Sequence, residues 1–177
     1  MKFHCVHGSA ISLSDGQTCA TRSDSEFCNG IVFSDSSFNT GTKLCIELTC
    51  TDAWSGALRV GLTTTDPGQL TSADLPRYSL PHLAQKDGFW IRPISESLTA
   101  DGHRLMLYLG SDGNVQLFVN NVHKGALLVG LPAGKPVWLM LDIYGNTKGV
   151  KFVKPGQTMF NKSIMNDISV SLLFIPT

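Results

Sequence analysis

The feature of this sequence that most restricts its fold is a period of two in the placement of apolar side chains. In the segment Lys43–Cys50, leucine and isoleucine alternate with lysine, cysteine, glutamate and threonine. The same alternation is found in Trp54–Thr63, Arg104–Leu109, Val115–Val119 and Val137–Ile143. Successive side chains of a β-strand point to opposite faces, so this period predicts strands with one face turned to a core.

Turn signals separate the alternating segments. Asp112-Gly113 lies between two of them, and Asn120-Asn121 follows the second, which is typical of tight hairpin turns. No segment has a sustained helical period, and the sequence holds 17 glycines and 8 prolines with only 16% charged residues. We therefore predict an all-β fold, a two-sheet antiparallel β-sandwich of about ten to twelve short strands.

Shorter apolar runs complete the predicted strands. They are Phe3-His4, Ile11–Leu13, Ile31–Phe33, Gly88–Ile91, Ala126–Val129 and Val150–Val153, whereas Ala20–Ser23 is only a segment that leads into Phe27. We expect the strand at Lys43–Cys50 to pair with the strand at Trp54–Thr63 through a turn at Thr51-Asp52. Trp54 and Trp90 are predicted to anchor the core.

The last part of the chain differs from the rest. We divide the sequence into a β-domain over residues 1–154 and a tail over residues 155–177. In the tail, Ile168, Val170, Leu172 and Phe174 alternate with other residues, which is compatible with one extra strand or with disorder.

Composition argues against several classes of protein. The formal net charge is zero, so no broad basic surface for nucleic acid is expected. No apolar run approaches the roughly 18 residues of a membrane-spanning helix. Met1–Ala10 lacks the apolar segment of a secretion signal, so we expect a cytoplasmic protein. The five cysteines form no C-x-x-C pair; we expect reduced, mostly buried thiols and no metal site.

The sequence also lacks the patterns of common enzymes. It has no G-x-S-x-G, H-E-x-x-H or G-x-x-x-x-G-K-[ST] motif, and its five histidines are dispersed. The aspartates mostly stand in turn contexts, where they hydrogen-bond the local backbone. We therefore expect a protein that is not an enzyme and that needs no cofactor.

A set of ordered motifs gives the chain a family resemblance. The pieces are Phe3-His4 with Gly8, Gly30–Ser34, Trp54–Thr63, Asp66-Pro67, Leu75-Pro76, Phe118–Asn121 and Leu141–Gly145. In this order and spacing they resemble the neuralized homology repeat of the Neuralized-like proteins, which is related to SPRY β-sandwiches. Phe3–Gly8 and Tyr78–Leu83 look most similar to the Neuralized-like protein 2 branch.

The resemblance implies recognition of proteins. It implies a SPRY-like sandwich of the concanavalin-like jelly-roll type that selects a target protein for a ubiquitin ligase. Family members carry either a RING or a SOCS box. Here no cysteine follows Cys50, the tail lacks the leucine and cysteine pattern of a SOCS box, and the family's insertion after the Trp90 strand is reduced. We expect the ligase machinery to be recruited by a longer relative or by a partner of this chain.

The resemblance also implies where a target peptide binds. SPRY-type sandwiches hold peptides in loops at one end, which places Arg22–Glu26, Thr64–Tyr78 and Tyr144–Thr147 near one another. The predicted peptide-binding residues are Tyr144, Asn146, Arg77, Tyr78, Arg22 and Asp66. A tyrosine offers a flat face with a hydroxyl and an arginine can hold a carboxylate. A tight turn at Tyr144-Gly145 and solvated loop residues at Arg77 and Tyr78 are the alternative interpretations.

Two other functions stay open at this point. Lys148, Lys151 and Lys154 form a modest basic edge, which is compatible with a β-sandwich that binds phosphoinositides or glycans. The chain is also compatible with an adaptor isoform in which Phe160–Thr177 replaces the box that recruits a ligase.

Overall fold

The computed structural model describes residues 1–51 and 53–156, and these residues form the predicted all-β sandwich. The strands are β1 (Ile11–Ser14), β2 (Cys19–Arg22), β3 (Ile31–Phe33), β4 (Lys43–Thr51), β5 (Arg59–Thr63), β6 (Phe89–Pro93), β7 (Arg104–Leu109), β8 (Val115–Val119), β9 (Val122–Leu128), β10 (Trp138–Asp142) and β11 (Thr147–Val153). Short 3₁₀ turns cover Pro67–Gln69, Ser72–Asp74 and Glu96–Leu98. None of these turns has the length or the apolar content of a helix that crosses a membrane.

The described strands form two antiparallel sheets. The larger has seven strands in the order β1-β2-β11-β4-β7-β8-β9, and the smaller has four in the order β3-β10-β5-β6. The predicted pairing of the Lys43–Cys50 and Trp54–Thr63 strands is wrong, because β4 pairs with β7 and β11 whereas β5 pairs with β6 and β10. The two strands belong to different sheets, and both contribute side chains to the core. Asp52, in the predicted turn, lies outside the described residues.

The core lies between the sheets and is built by the alternation seen in the sequence. Ile46 and Leu48 of β4 and Leu62 of β5 belong to one buried cluster. Leu139 and Leu141 of β10 complete its centre. Burying a leucine or isoleucine side chain contributes roughly 1.5–3 kcal/mol, so this cluster is the main source of stability of the sandwich.

A second apolar cluster lies on the outer face of the smaller sheet. Phe33, Ile91 and Met140 point away from the main core and pack with Leu83 from the long segment between β5 and β6. This segment is predicted as a binding loop, but much of it instead covers the sheet. Within this segment, the hydroxyl and the N–H of Thr71 donate to the carboxylate of Asp74 and stabilise the 3₁₀ turn at Ser72–Asp74. These hydrogen bonds hold the pKa of the Asp74 carboxyl below its ordinary value.

Several local predictions are corrected by the structure. Phe3-His4 is not a strand: Phe3 forms a single bridge to Ser34, and its ring packs on Phe152 with centroids 4.4 Å apart. Trp54 is 49% exposed, so it is no core anchor, and the strand after it begins only at Arg59. Trp90 is half-buried against the core.

The burial of the cysteines differs from the prediction. The cysteines are free, but Cys28 alone among them is buried and Cys5 is exposed, so the prediction of mostly buried thiols is wrong.

The two hairpins predicted at Asp112-Gly113 and Asn120-Asn121 are confirmed, with Asn120 and Asn121 at φ 48° and 67°. The alternating residues of the predicted tail strand lie outside the described part of the chain.

Strand register brings four loops to one end of the sandwich. Asp142, the last residue of β10, pairs with Ile31 of β3 and Arg59 of β5, and Arg59 pairs with Pro93 of β6. The β2–β3, β4–β5, β6–β7 and β10–β11 connections therefore leave the strands at the same end. We call it the loop end.

Candidate functional site

Four aromatic side chains from different segments meet at the loop end. Phe27 lies 5.7 Å from Trp54, 6.3 Å from Tyr78 and 6.5 Å from Tyr144, measured between ring centroids. Tyr78 and Tyr144 meet edge to face at 6.1 Å. We call these four residues the aromatic cluster. Phe27 and Trp54 are 40% and 49% exposed, so the cluster presents apolar surface to solvent.

A buried ion pair supports the cluster from below. The guanidinium of Arg59 lies 3.9 Å from the ring centroid of Tyr144 and donates to Asp142 Oδ2 at 3.0 Å. The same carboxylate oxygen accepts from the N–H and the hydroxyl of Ser79, at 3.0 and 2.7 Å. Because Ser79 follows Tyr78, this network fixes both tyrosines relative to the end of β10. A cation over an aromatic ring contributes about 0.5–2 kcal/mol, more when it is desolvated.

Arg22 holds the loops together from inside. Its side chain is buried, and Nη2 donates to the carbonyl oxygens of Gly145 at 2.9 Å and Thr147 at 3.3 Å. Nη1 donates to the carbonyl of Glu26. These contacts tie the β2–β3 loop to the β10–β11 loop. The two predicted segments are thus neighbours, and the position of Arg22 suits a role in fixing the loops better than contact with a peptide.

The β10–β11 turn rests directly on residues 53–58. Gly145 has φ +61°, and a Cβ built on it would lie 2.2 Å from the carbonyl carbon of Gly56, so only glycine fits. Asn146 donates its N–H to the Gly56 carbonyl at 2.8 Å. The side-chain oxygen of Asn146 accepts from the hydroxyls of Thr99 and Thr147. Tyr144 is half-buried, so it serves both the turn and the surface.

Arg77 and Tyr78 reach the loop end because the long segment between β5 and β6 crosses the smaller sheet. Arg77 is exposed and donates to Cys28 Sγ at 3.4 Å, and this hydrogen bond raises the pKa of the guanidinium above its already high value. It also lies 5.9 Å from the ring centroid of Tyr78. A permanent positive charge therefore borders the aromatic cluster.

Asp66 is not brought to this site. It follows Thr63, which pairs with Trp138 at the opposite end of β5. Its carboxylate accepts from the N–H of Gly68 at 2.8 Å and begins a 3₁₀ turn. Peptide binding by the six predicted residues stays a prediction, and the structure groups Tyr144, Asn146, Arg77, Tyr78 and Arg22 without Asp66.

Sequence reasoning missed three residues of the site: Phe27, Trp54 and Arg59. A groove of about 550 Å³ beside Trp54 is lined by Asp24, Thr51, Ala53 and Lys148, and Lys148 forms an ion pair with Asp24. The sequence held a signal for Phe27, because it is the one aromatic residue in the mostly polar segment Ser23–Asn29, where a large apolar side chain is unexpected. Arg59 gave no such signal.

Comparison with known proteins places these features in a family. The sequence model of the Neuralized family matches residues 3–154. Protein neuralized of Drosophila virilis is 34% identical over 86% of this chain, and human E3 ubiquitin-protein ligase NEURL1B is 30% identical over 86%. The chain spans only 20% and 28% of those two relatives. Mouse Neuralized-like protein 2 is 24% identical over 99% of this chain and 88% of its own length.

Solved structures agree with the fold. The crystal structure of the Drosophila melanogaster neuralized-NHR1 domain superposes with a TM-score of 0.83 and 33% identity, covering 87% of this chain and 98% of that domain. The PSpry domain of TRIM65 superposes with a TM-score of 0.58 at 10% identity, over 87% of this chain and 89% of its own. At that identity the likeness concerns the fold alone, and it confirms the SPRY-like architecture.

Proposed function

This chain belongs to the Neuralized family, and from that premise we propose that it is a protein-interaction module that recognises a short segment of a target polypeptide through the aromatic cluster. The exposed faces of Phe27 and Trp54 are the observation that carries the proposal. Apolar rings held at the surface lose little side-chain entropy on binding and remove large areas from water when a partner covers them.

The surroundings of the cluster suit a peptide. The hydroxyls of Tyr78 and Tyr144 can exchange hydrogen bonds with a peptide backbone, and Arg77 offers a positive charge at the border. The groove beside Trp54 carries both signs of charge at Asp24 and Lys148. An elongated polar guest with one or two apolar side chains matches this arrangement.

The proposed role is binding without catalysis. Asp142, the buried carboxylate under the cluster, accepts hydrogen bonds from Arg59 and Ser79 at Oδ2, which supports a structural role for it. Since relatives of this chain are named ubiquitin-protein ligases, we propose that it selects the target in a ligase pathway in the cytoplasm. The ion pair of Lys148 with Asp24 takes one lysine from the basic edge and disfavours the phosphoinositide alternative.

The test compares what the chain captures with and without the exposed rings. Trp54→Ala and Phe27→Ala should each remove the target from proteins captured in a cell extract and quantified by mass spectrometry. Val122→Ala is the matched control, since Val122 is 56% exposed and lies on β9. The melting temperature of all three should match the unchanged chain. Identical capture by all variants would refute the site, and co-captured elongin and cullin subunits would support the ligase role.

A further inference from the structure

A groove runs along the open side of the sandwich, away from the aromatic cluster. Its two walls are β6, an edge strand of the smaller sheet, and β9, an edge strand of the larger sheet. Leu80 and Ala84, from the turn that follows Ser79, also line it. The groove has a volume of about 640 Å³. It is lined mainly by apolar side chains, among them Leu80, Ala84, Trp90, Leu127 and Val129. Val129 is 59% exposed. We call this groove between β6 and β9 the edge groove.

The backbone of β6 faces this groove with hydrogen-bonding groups. The N–H of Thr64 donates to Gly88 at 3.0 Å and the N–H of Ile94 donates to Leu58 at 2.9 Å. In an antiparallel ladder every second residue turns its polar groups to the same neighbour. Gly88, Trp90, Arg92 and Ile94 therefore bond toward β5, whereas Phe89 and Ile91 present N–H and C=O groups to the open side. No strand in the described part of the chain pairs with that side of β6.

The one charged side chain among the residues that line the groove is that of Arg92. Neither β6 nor β9 has an acidic residue, and β9 carries a second cation, Lys124, outside the lining of the groove. Arg92 shares the face of Trp90, which is turned to the larger sheet, and it lines the groove. The nearby Asp87 lines a separate groove on the outer face of the smaller sheet.

From these three observations we propose that β6 is a second binding site, which takes an extended acidic segment of a partner polypeptide as an added strand. The backbone of the guest pairs with Phe89 and Ile91, its apolar side chains enter the edge groove, and a carboxylate meets Arg92. Pro93 has no N–H, so the pairing ends there and sets the register. Strand addition of this kind takes affinity from the backbone and selectivity from side chains.

The same charges argue against the other natural occupant, a second copy of this chain. Two edge grooves brought together would place two Arg92 guanidiniums at one interface, with no acidic residue of β6 or β9 to meet them, which disfavours pairing. An acidic guest removes that repulsion. The proposal is independent of the aromatic cluster, because the two sites share no residue.

The experiment titrates the full chain with a blocked eight-residue peptide of alternating valine and glutamate, followed by backbone amide NMR. The acidic peptide should shift the amide signals of Phe89, Ile91 and β9 residues and leave those of Phe27 and Trp54 in place. A peptide with lysine for glutamate should bind about tenfold more weakly. An acidic peptide with N-methyl groups on alternate residues should lose binding, since it cannot complete the ladder.

Charge reversal supplies the matched pair of variants. Arg92→Glu should weaken the acidic peptide by about tenfold and strengthen the lysine peptide. Lys2→Glu makes the same change of net charge beside β3, on the other edge of the smaller sheet. It should change the affinity for neither peptide. Trp54→Ala should leave both affinities as they are, which separates this site from the proposed function. Absence of shifts at β6, equal binding by Arg92→Glu, or concentration-dependent shifts without any peptide would overturn the proposal.

Discussion

At the scale of single residues, Arg59 connects stability with the candidate site. Its guanidinium bridges the buried carboxylate of Asp142 and the ring of Tyr144. The side chain is only 14% exposed, so solvent screens the pair weakly. A buried pair contributes little net stability over an apolar pair, but loss of one partner leaves an uncompensated charge. Arg59 is thus a residue that the site cannot lose without damage to the fold.

We expect Arg59→Ala to lower the free energy of unfolding by about 3–5 kcal/mol, because Asp142 would remain buried without its cation. Urea denaturation followed by circular dichroism measures this difference. Arg77→Ala is the control, since Arg77 is exposed, and its effect should stay within about 0.5 kcal/mol. Equal stability of the two variants would contradict the role assigned to Arg59.

The thiols give a pH-dependent prediction. Burial raises the pKa of Cys45, although Arg104 and Lys43 oppose the shift, so its reactive thiolate forms only at higher pH than usual. Iodoacetamide should therefore modify the exposed Cys5 before Cys45 at pH 8, and the rate at Cys45 should keep rising above pH 9. Peptide mapping by mass spectrometry gives both rates. A faster reaction at Cys45 would show that the thiol is not shielded.

At the scale of elements, the loop end is held by contacts of backbone against backbone. The β10–β11 turn touches Gly56 where a Cβ on Gly145 would collide with a carbonyl carbon at 2.2 Å. Arg22 adds hydrogen bonds from β2 to the same turn. Loops fixed in this way can present the aromatic cluster in one arrangement, which lowers the entropic cost of binding.

A comparison of Gly145→Ala with Gly134→Ala separates the steric cost of an added Cβ from the cost of a positive φ in the backbone. Both glycines have positive φ, but a Cβ on Gly134 meets nothing within 4 Å. We expect Gly134→Ala to cost about 1 kcal/mol for the backbone alone, and Gly145→Ala about 2–5 kcal/mol because the turn must also move. Thermal unfolding compares them. The interpretation of the turn would be wrong if the two variants melted together.

At the scale of the whole molecule, the sandwich has one core shared by both sheets. Leu48 of the larger sheet and Leu141 of the smaller are both fully buried in it. Neither sheet can keep its inner face covered without the other. The outer cluster around Met140 joins the long β5–β6 segment to the same body.

We expect a single unfolding transition, with near- and far-ultraviolet circular dichroism losing signal at the same urea concentration. Leu141→Ala should shift that midpoint downward for both signals together, by about 2–5 kcal/mol in free energy of unfolding. An earlier loss of the near-ultraviolet signal would mean that the aromatic cluster and the β5–β6 segment open before the sheets.

The sequence by itself determined most strand positions, the hairpin turns and the two-sheet class. Alternation and turn chemistry act between near neighbours, so they can be read locally, as the hairpin at Asn120-Asn121 shows. The same motifs were sufficient for the family resemblance. Tyr144, Asn146, Arg77 and Tyr78 were predicted as peptide-binding residues mainly from that resemblance, and their binding of a peptide stays a prediction.

Only the tertiary structure decided which strands pair and which side chains meet. The sheet partners of β4, which are β7 and β11, lie tens of residues away along the chain, and nothing in the local sequence distinguishes them from β5 as partners. Phe27, Trp54, Tyr78 and Tyr144 come from four separate segments, and the register of the strands brings their rings together. Arg22 is predicted from the sequence as a peptide-binding residue, yet its side chain is buried and donates to the carbonyl oxygens of Gly145 and Thr147 in a distant turn and of Glu26 in the neighbouring loop.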